Sequence, residues 1–391
     1  MRRASLVLGI GLMAVLGSAN PVGAWDHHVT VANGTWHVQL TDTDLVAAAG
    51  ADVHALLYWY DNEQQRVGYV RSSLGSNTSG AVLDSRCQHP EGIDAQATGT
   101  TTVVAACSYE NPNDVRKLTL VVRRYDSGGW HGRVAVNGST HPSDGSGTVA
   151  IDGSLVVVGW TDRTGGIYVA RSTNGGESFK KPVRLGTTSA TDSTYGCCLP
   201  NGRVRVAIDG DRVAVAWVDG SSNGKSTKRW PTRLRLRRSS DRGASFSSAR
   251  TLVSSTMRRG APAMALEGSR LLIVYVSGKK QARLLRSTNA GSSFHDGSLS
   301  DKGKATGDAD LALDGTQARA TWRYGSHVYL RRSADTGTTW AARENTGIVP
   351  YVPDQMLPNV ALRQGETAVL WTAFTVWGGL DDVWVEATTT S

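Results

Sequence analysis

Cysteine and phenylalanine are both scarce, at four residues each in a chain of 391. So few cysteines cannot staple a chain of this length, and its core has to come from apolar burial. The first apolar run, Leu6 to Leu16, falls well short of the roughly 20 residues a membrane-spanning helix needs, so no membrane insertion is expected. No cysteine follows that run, which argues against a lipid anchor. The nine histidines show no metal-binding spacing such as His-Glu-x-x-His, and no Asp-rich calcium loop occurs; no cofactor or metal is expected. Charge of one sign does not accumulate. The formal charge is +8, or +6 without Arg2 and Arg3, and the densest basic stretch is Arg233-Leu-Arg235-Leu-Arg237-Arg238. In a strand that alternation lines one face with arginines and reads as a solvated surface, so a nucleic-acid partner is not expected. Helical periodicity is nearly absent after residue 24, as are linkers and low-complexity segments. Residues 25–391 therefore read as a single all-β domain.

The amino terminus has the layout of an export signal: Arg2 and Arg3, the apolar Leu6–Leu16 stretch, then a small-residue site at Val22-Gly-Ala24. Residues 1–24 are read as a signal peptide and the protein as secreted and extracellular. An even number of cysteines suits that setting. The preferred pairing is Cys87 with Cys107 and the vicinal Cys197 with Cys198, with two loop-to-loop cross-links or free buried thiols as the alternative.

What the chain has in abundance is repetition. One turn is written four times, as Ser172–Phe179, Ser239–Phe246, Ser287–Phe294 and Ser333–Trp340, on the pattern Ser-x-Asp/Asn-x-Gly-x-Ser/Thr-aromatic, with a decayed copy at Asp126–Trp130. An Asp or Asn there can bond its own turn backbone, and the Gly can take a positive φ. A second signature recurs as Val149-Ala-Ile-Asp-Gly153, Val206-Ala-Ile-Asp-Gly210, Met264-Ala-Leu-Glu-Gly268, Leu311-Ala-Leu-Asp-Gly315 and Val360-Ala-Leu-Arg-Gln-Gly365. Each copy precedes a β-rich run ending in a broad ring, Trp160, Trp217, Tyr275, Trp322 and Trp371, with weaker copies ending at Trp59 and Tyr109. Asp-Gly between two apolar runs signals a hairpin. A four-stranded antiparallel unit repeated every 50 residues or so is a propeller blade. The expected fold is a β-propeller of seven blades, with six as the alternative count. The segment around Thr35–Leu40 is expected to pair with the last, truncated blade and close the ring.

The turn resembles the Asp box, or bacterial neuraminidase repeat, of sialidase-like β-propellers. That resemblance covers nearly all of residues 25–391 and implies that box residues are structural and lie away from the ligand face. It also implies a partner that is an extracellular glycan or glycoprotein, and a monomer. The opposite face is built from loops joining second to third strands and from connections between blades. Loops of the first kind offer Asp61, Glu110, Arg163, Arg229 and Arg323; the connections offer Tyr195, Arg259 and Tyr351. A sialidase would need a Tyr–Glu nucleophile pair and an acidic Asp, which selects Tyr195, Glu110 and Asp61 as catalytic candidates. Arginines Arg163, Arg229, Arg259 and Arg323, with Tyr351, would bind ligand, since a guanidinium presents two parallel donors to a carboxylate. The family's Phe/Tyr-Arg-Ile-Pro motif is missing: Leu45–Gly50 contains no arginine. The expected function is therefore glycan recognition, with hydrolysis of sialidase type or polysaccharide lysis as one alternative and a non-enzymatic interaction scaffold as another.

Overall fold

The computed structural model describes residues 27–32, 39–48, 52–61, 64–73, 79–84, 94–98, 102–111, 114–127, 129–137, 141–143, 147–162, 164–188, 204–220, 230–257, 262–305, 307–325, 327–348, 358–363, 366–374 and 381–388, with side chains mainly between 118 and 362. Every regular element among them is a strand. All strand pairs are antiparallel, and they form four four-stranded sheets, one five-stranded sheet and one eight-stranded sheet. The long sheet is two four-stranded runs, 204–257 and 263–298, joined by the single pair Met257–Ser277. The chain thus consists of meanders laid side by side.

The sequence explains why the sheets stack. Residues on one strand alternate between faces, and here both faces are apolar. In Leu155–Thr161 all seven residues are buried. Val156, Val158 and Trp160 join Leu120 and Val122 of the preceding sheet, whereas Leu155 and Val157 join Val204, Val215 and Trp217 of the following one. Tyr275 and Trp322 occupy equivalent places in the next two interfaces. Burying each such ring is worth about 2 to 3 kcal/mol. The innermost strands then touch in succession: Gln39–Ala48 with Asp94–Thr98, then Thr148–Asp152, Val204–Asp209, Ala263–Glu267, Gly307–Asp314 and Asn359–Arg363, which in turn touches Gln39–Ala48.

At the amino terminus the structure departs from expectation. The strand paired with the last sheet is His27–Ala32, against Asp381–Thr388. Gln39 and Leu40 belong instead to the first strand of the 39–84 sheet, opposite Tyr60 and Trp59. The pattern at Gln39–Ala48 continues the inner-strand register, so that segment is taken up by its own sheet.

The four repeated turns share one geometry. In each the Ser Oγ donates to the Asp or Asn Oδ1 and accepts the Gly N–H, at 2.9 Å for Gly176 and 2.8 Å for Gly243, Gly291 and Gly337. The same Oδ1 accepts the N–H of the later Ser or Thr. Hydrogen bonds to the Asp335 carboxylate, the backbone N–H of Thr339 foremost, hold its pKa down at about 2. Two consecutive residues take left-handed backbone, not the Gly alone: φ is 60° at Arg242, 51° at Ala290 and 56° at Thr336, ahead of their glycines. That first left-handed residue donates its N–H to the first hairpin of the same sheet, as in Gly175 to Ser154 O and Arg242 to Asp211 O. The closing ring then packs into the interface with the preceding sheet, as Phe179, Phe246, Phe294 and Trp340 do.

Arginines before the turns link one sheet to the next. Arg238 donates to Ala290 O and Ser292 Oγ, Arg286 to Thr336 O, and Arg124 to Glu177 at 3.0 Å. Hairpin carboxylates add a parallel link, Asp152 accepting from Gly210 N at 2.6 Å and Asp209 from Gly268 N at 2.7 Å.

Two box glycines separate backbone strain from crowding. At Gly243 an added Cβ meets nothing closer than 3.7 Å, whereas at Gly291 it lies 3.0 Å from Arg238 Cδ and Leu271 Cδ2. Gly243→Ala should cost about 1 to 2 kcal/mol for its left-handed backbone, and Gly291→Ala about 1 to 3 kcal/mol more for overpacking. Equal denaturation midpoints for the two variants would refute this ordering.

Candidate functional site

The first hairpins and box turns occupy one end of the sheets, and their polar groups are largely consumed by one another. At the other end the innermost strands begin. Counting back five residues from each hairpin gives Asp94, Thr148, Arg205, Ala263, Asp310 and Asn359, with Asp44 in the same place on the first sheet. Four of these are ionisable, and Asp94, Arg205 and Asp310 have described side chains of intermediate exposure. Asp94 Oδ2 accepts from Val149 N at 2.6 Å, and Asp310 Oδ2 from Val360 N at 2.8 Å, each carboxylate bridging to the adjoining inner strand. Arg205 Nη1 donates to Val204 O at 3.3 Å.

Asp310 reports on the electrostatics of this end. Its side chain keeps some solvent contact, but protein surrounds it closely enough that burial pushes its pKa up to about 6. Backbone N–H groups of Val360 and Leu311 and the charge of Arg205 oppose that rise, while the charge of Asp94 adds to it. The strands carrying Asp94, Arg205 and Asp310 are not neighbours in the succession of inner strands. The charges of Asp94 and Arg205 thus reach Asp310 from strands that do not adjoin its own in that succession. The cluster combines a carboxyl that exchanges its proton near pH 6, a second carboxylate and a guanidinium. Such a set can accept and donate hydrogen bonds to hydroxyls and hold an anionic group.

The residues expected from the sequence fare unevenly. Arg323 lies at the end of the strand Gln317–Tyr324 but is only 4% exposed, packed in the sheet instead of standing on a loop. Its neighbour Tyr324 takes the Lys304 ammonium over its ring at 4.8 Å. Asp61 closes the strand Asp52–Asp61, opposite Gln64. Glu110 lies near the end of Thr102–Asn111, opposite Leu118, and Cys107 lies in the same strand opposite Val121. The side chains of these three fall outside the described residues, as do Arg163, Tyr195, Arg229, Arg259, Tyr351, Cys87, Cys197 and Cys198. Two related carboxylates have structural work. Asp162 Oδ1 accepts from Thr164 N, Thr164 Oγ1 and Gly166 N, capping its own turn, and Asp219 pairs with Arg235 at 3.4 Å. Among the described residues no group of three or more His, Cys, Asp or Glu could hold a metal ion. No helix there is long and apolar enough to cross a membrane.

Asp94, Arg205 and Asp310 were missed because they sit on inner strands that read as core. The available signal was register: once the repeats are aligned on their hairpins, charged residues replace Thr148 and Ala263 at one repeated position.

No protein-family model matches the chain, and no curated protein matches it. Solved structures do. A protein of unknown function from Dyadobacter fermentans superposes with a TM-score of 0.53 at 13% identity, over 95% of this chain and 100% of that one. A six-bladed β-propeller lectin from Aleuria aurantia that recognises fucose reaches 0.49 at 12% identity, over 90% and 97% of the two chains. Trypanosoma rangeli sialidase reaches 0.45 at 11% identity, and the match spans 90% of this chain but 54% of the sialidase. At such identities only the fold is shared, and the last two likenesses are too distant to carry an argument. The class they accompany, an all-β protein of propeller type, is the one the stacked meanders define.

Asp310 makes stability depend on pH. Its folded pKa of about 6 lies above the reference value of 3.8, so its contribution is fully present below pH 3.8 and is lost as pH rises through 6. By that shift the loss is at most about 3 kcal/mol. Asp310→Asn keeps an acceptor for Val360 N and should flatten this part of the unfolding free energy between pH 4 and 7. Parallel curves for variant and parent would contradict the assignment.

Proposed function

We propose that this chain is a secreted, seven-bladed β-propeller that recognises extracellular glycans at the face opposite its box turns. The reading is carried by the charges of Asp94 and Arg205 acting on Asp310 from strands that do not adjoin its own. Paired carboxylates suit the vicinal hydroxyls of a sugar, and the guanidinium beside them suits an acidic one. Support for seven blades is the succession of seven inner strands in which the last touches the first. The pairing of His27–Ala32 with Asp381–Thr388 would then be the closure that removes a free sheet edge. The resemblance of the four turns to the Asp box adds a scaffold often used for glycans, though fold alone does not decide function. Export rests on the Arg2–Ala24 segment, and the Cys87–Cys107 and Cys197–Cys198 bonds belong to the same proposal. Arg163, Arg229, Arg259, Tyr195 and Tyr351, outside the described residues, are proposed from the sequence as further ligand contacts, and the protein is proposed to act as a monomer.

A hydrolytic reading, with Asp61 as acid and Tyr195 with Glu110 as nucleophile pair, is kept second because Asp61 and Glu110 fall at second-strand ends beside that same face. The purified protein should bind saturably to members of a glycan array without cleaving fluorogenic sialosides or acidic polysaccharides. Arg205→Ala, with unchanged thermal unfolding, should weaken that binding at least roughly tenfold, the scale of one charge-assisted contact. Turnover abolished by Asp61→Ala would replace recognition by hydrolysis, and silence in both assays would leave an interaction scaffold.

A further inference from the structure

At the box end the four described turns are closed by local hydrogen bonds, and one of them has different surroundings from the rest. A cavity of about 330 Å³ opens there between the 148–187 sheet and the 204–257 run. Three cations line it, Arg171, Lys180 and Lys181, together with Val157, Val169 and Val183 and with Gly243 and Ala244 of the next box turn. No carboxylate is among the lining residues. Arg171 is the arginine that precedes its box, and its counterparts are engaged: Arg124 by Glu177, Arg238 by Ala290 O and Ser292, Arg286 by Thr336 O, Arg332 by Glu344. Among the described residues Arg171 has only aliphatic contact with the next turn, its Cδ lying 3.7 Å from where a Cβ on Gly243 would stand. The two lysines are also peculiar to this repeat. Ser247-Ser248, His295-Asp296 and Ala341-Ala342 take their places after the other three rings.

Three like charges around one partly apolar cleft repel each other, and the repulsion grows as water is excluded. An oxyanion seated among them would relieve it, bound by the guanidinium fork and two mobile ammonium groups. We infer that this cleft is a second binding site, for a sulfate or carboxylate group carried on an extended ligand. It is separate from the axial cluster and does not depend on it.

Titration calorimetry of the whole protein with a sulfated oligosaccharide, a carboxylated one of the same length, and sodium sulfate tests the inference and tells the two oxyanions apart. Lys180→Gln/Lys181→Gln, at exposed positions, should weaken binding of the preferred oligosaccharide at least about tenfold and flatten the salt dependence. Arg171→Gln should act in the same direction. In Arg205→Ala, whatever it costs at the axial site, the lysine double substitution should still remove its own component of binding, so failure here and failure of the axial site are distinguishable. Unaltered affinity in the double variant would overturn the inference. So would an equal loss in Lys279→Gln/Lys280→Gln, a lysine pair exposed elsewhere, since it would reduce the effect to overall charge.

Discussion

A sheet that is apolar on both faces cannot stand alone in water, and the described residues include no helix to cover it. Each meander can be buried only by another meander on either side. The strand Leu155–Thr161 shows the constraint in its strictest form, with alternate residues committed to opposite neighbours and none left for solvent. Broad rings at the ends of second strands fill the widening gaps between sheets, and Trp160, Trp217 and Trp322 are among the largest fully buried side chains. Side-by-side packing with the same handed twist leads around an axis, so the path of the inner strands follows from this burial.

Polar chemistry is then divided between the two ends. At one, serine hydroxyls and Asp or Asn oxygens satisfy a backbone that turns through two left-handed residues, and arginines and hairpin carboxylates fasten each turn to the next sheet. Donors and acceptors used in this way cannot also bind ligand, except where a repeat departs from the pattern, as it does around Arg171. At the other end Asp94 and Asp310 also serve as fasteners to neighbouring strands. Burial, with a smaller push from the charge of Asp94, leaves Asp310 with a proton it holds up to about pH 6. Structural linkage and chemical potential thus reside in the same side chains.

How much of this was legible in the residues depends on the range of the interaction. The box turns are closed by atoms within eight positions, so Ser239, Asp241 and Gly243 declare their hydrogen bonds in the sequence. Even there the first left-handed residue was hidden, since Arg242, Ala290 and Thr336 are not glycines. The amino-terminal pairing was foreseen in kind but misplaced: Gln39–Ala48 has the inner-strand pattern, and the free edge is met by His27–Ala32 upstream. Arg323 looked like a loop residue because it follows a tryptophan that ends an apolar run, but the strand continues through it to Tyr324 and it is buried there.

Alternation of apolar residues, Asp-Gly hairpins and a turn written four times determined, without any coordinates, that the chain is all-β and built from repeated four-stranded meanders. Those features arise from contacts between near neighbours along the chain. Tertiary structure alone decided that Asp94, Arg205 and Asp310, more than 100 residues apart in succession, share one electrostatic environment, and that Arg171 faces a cleft while its counterparts are engaged. The reason is physical: proximity across an axis or between sheets depends on how whole sheets pack, and no local pattern encodes the distance between residues that only packing brings together.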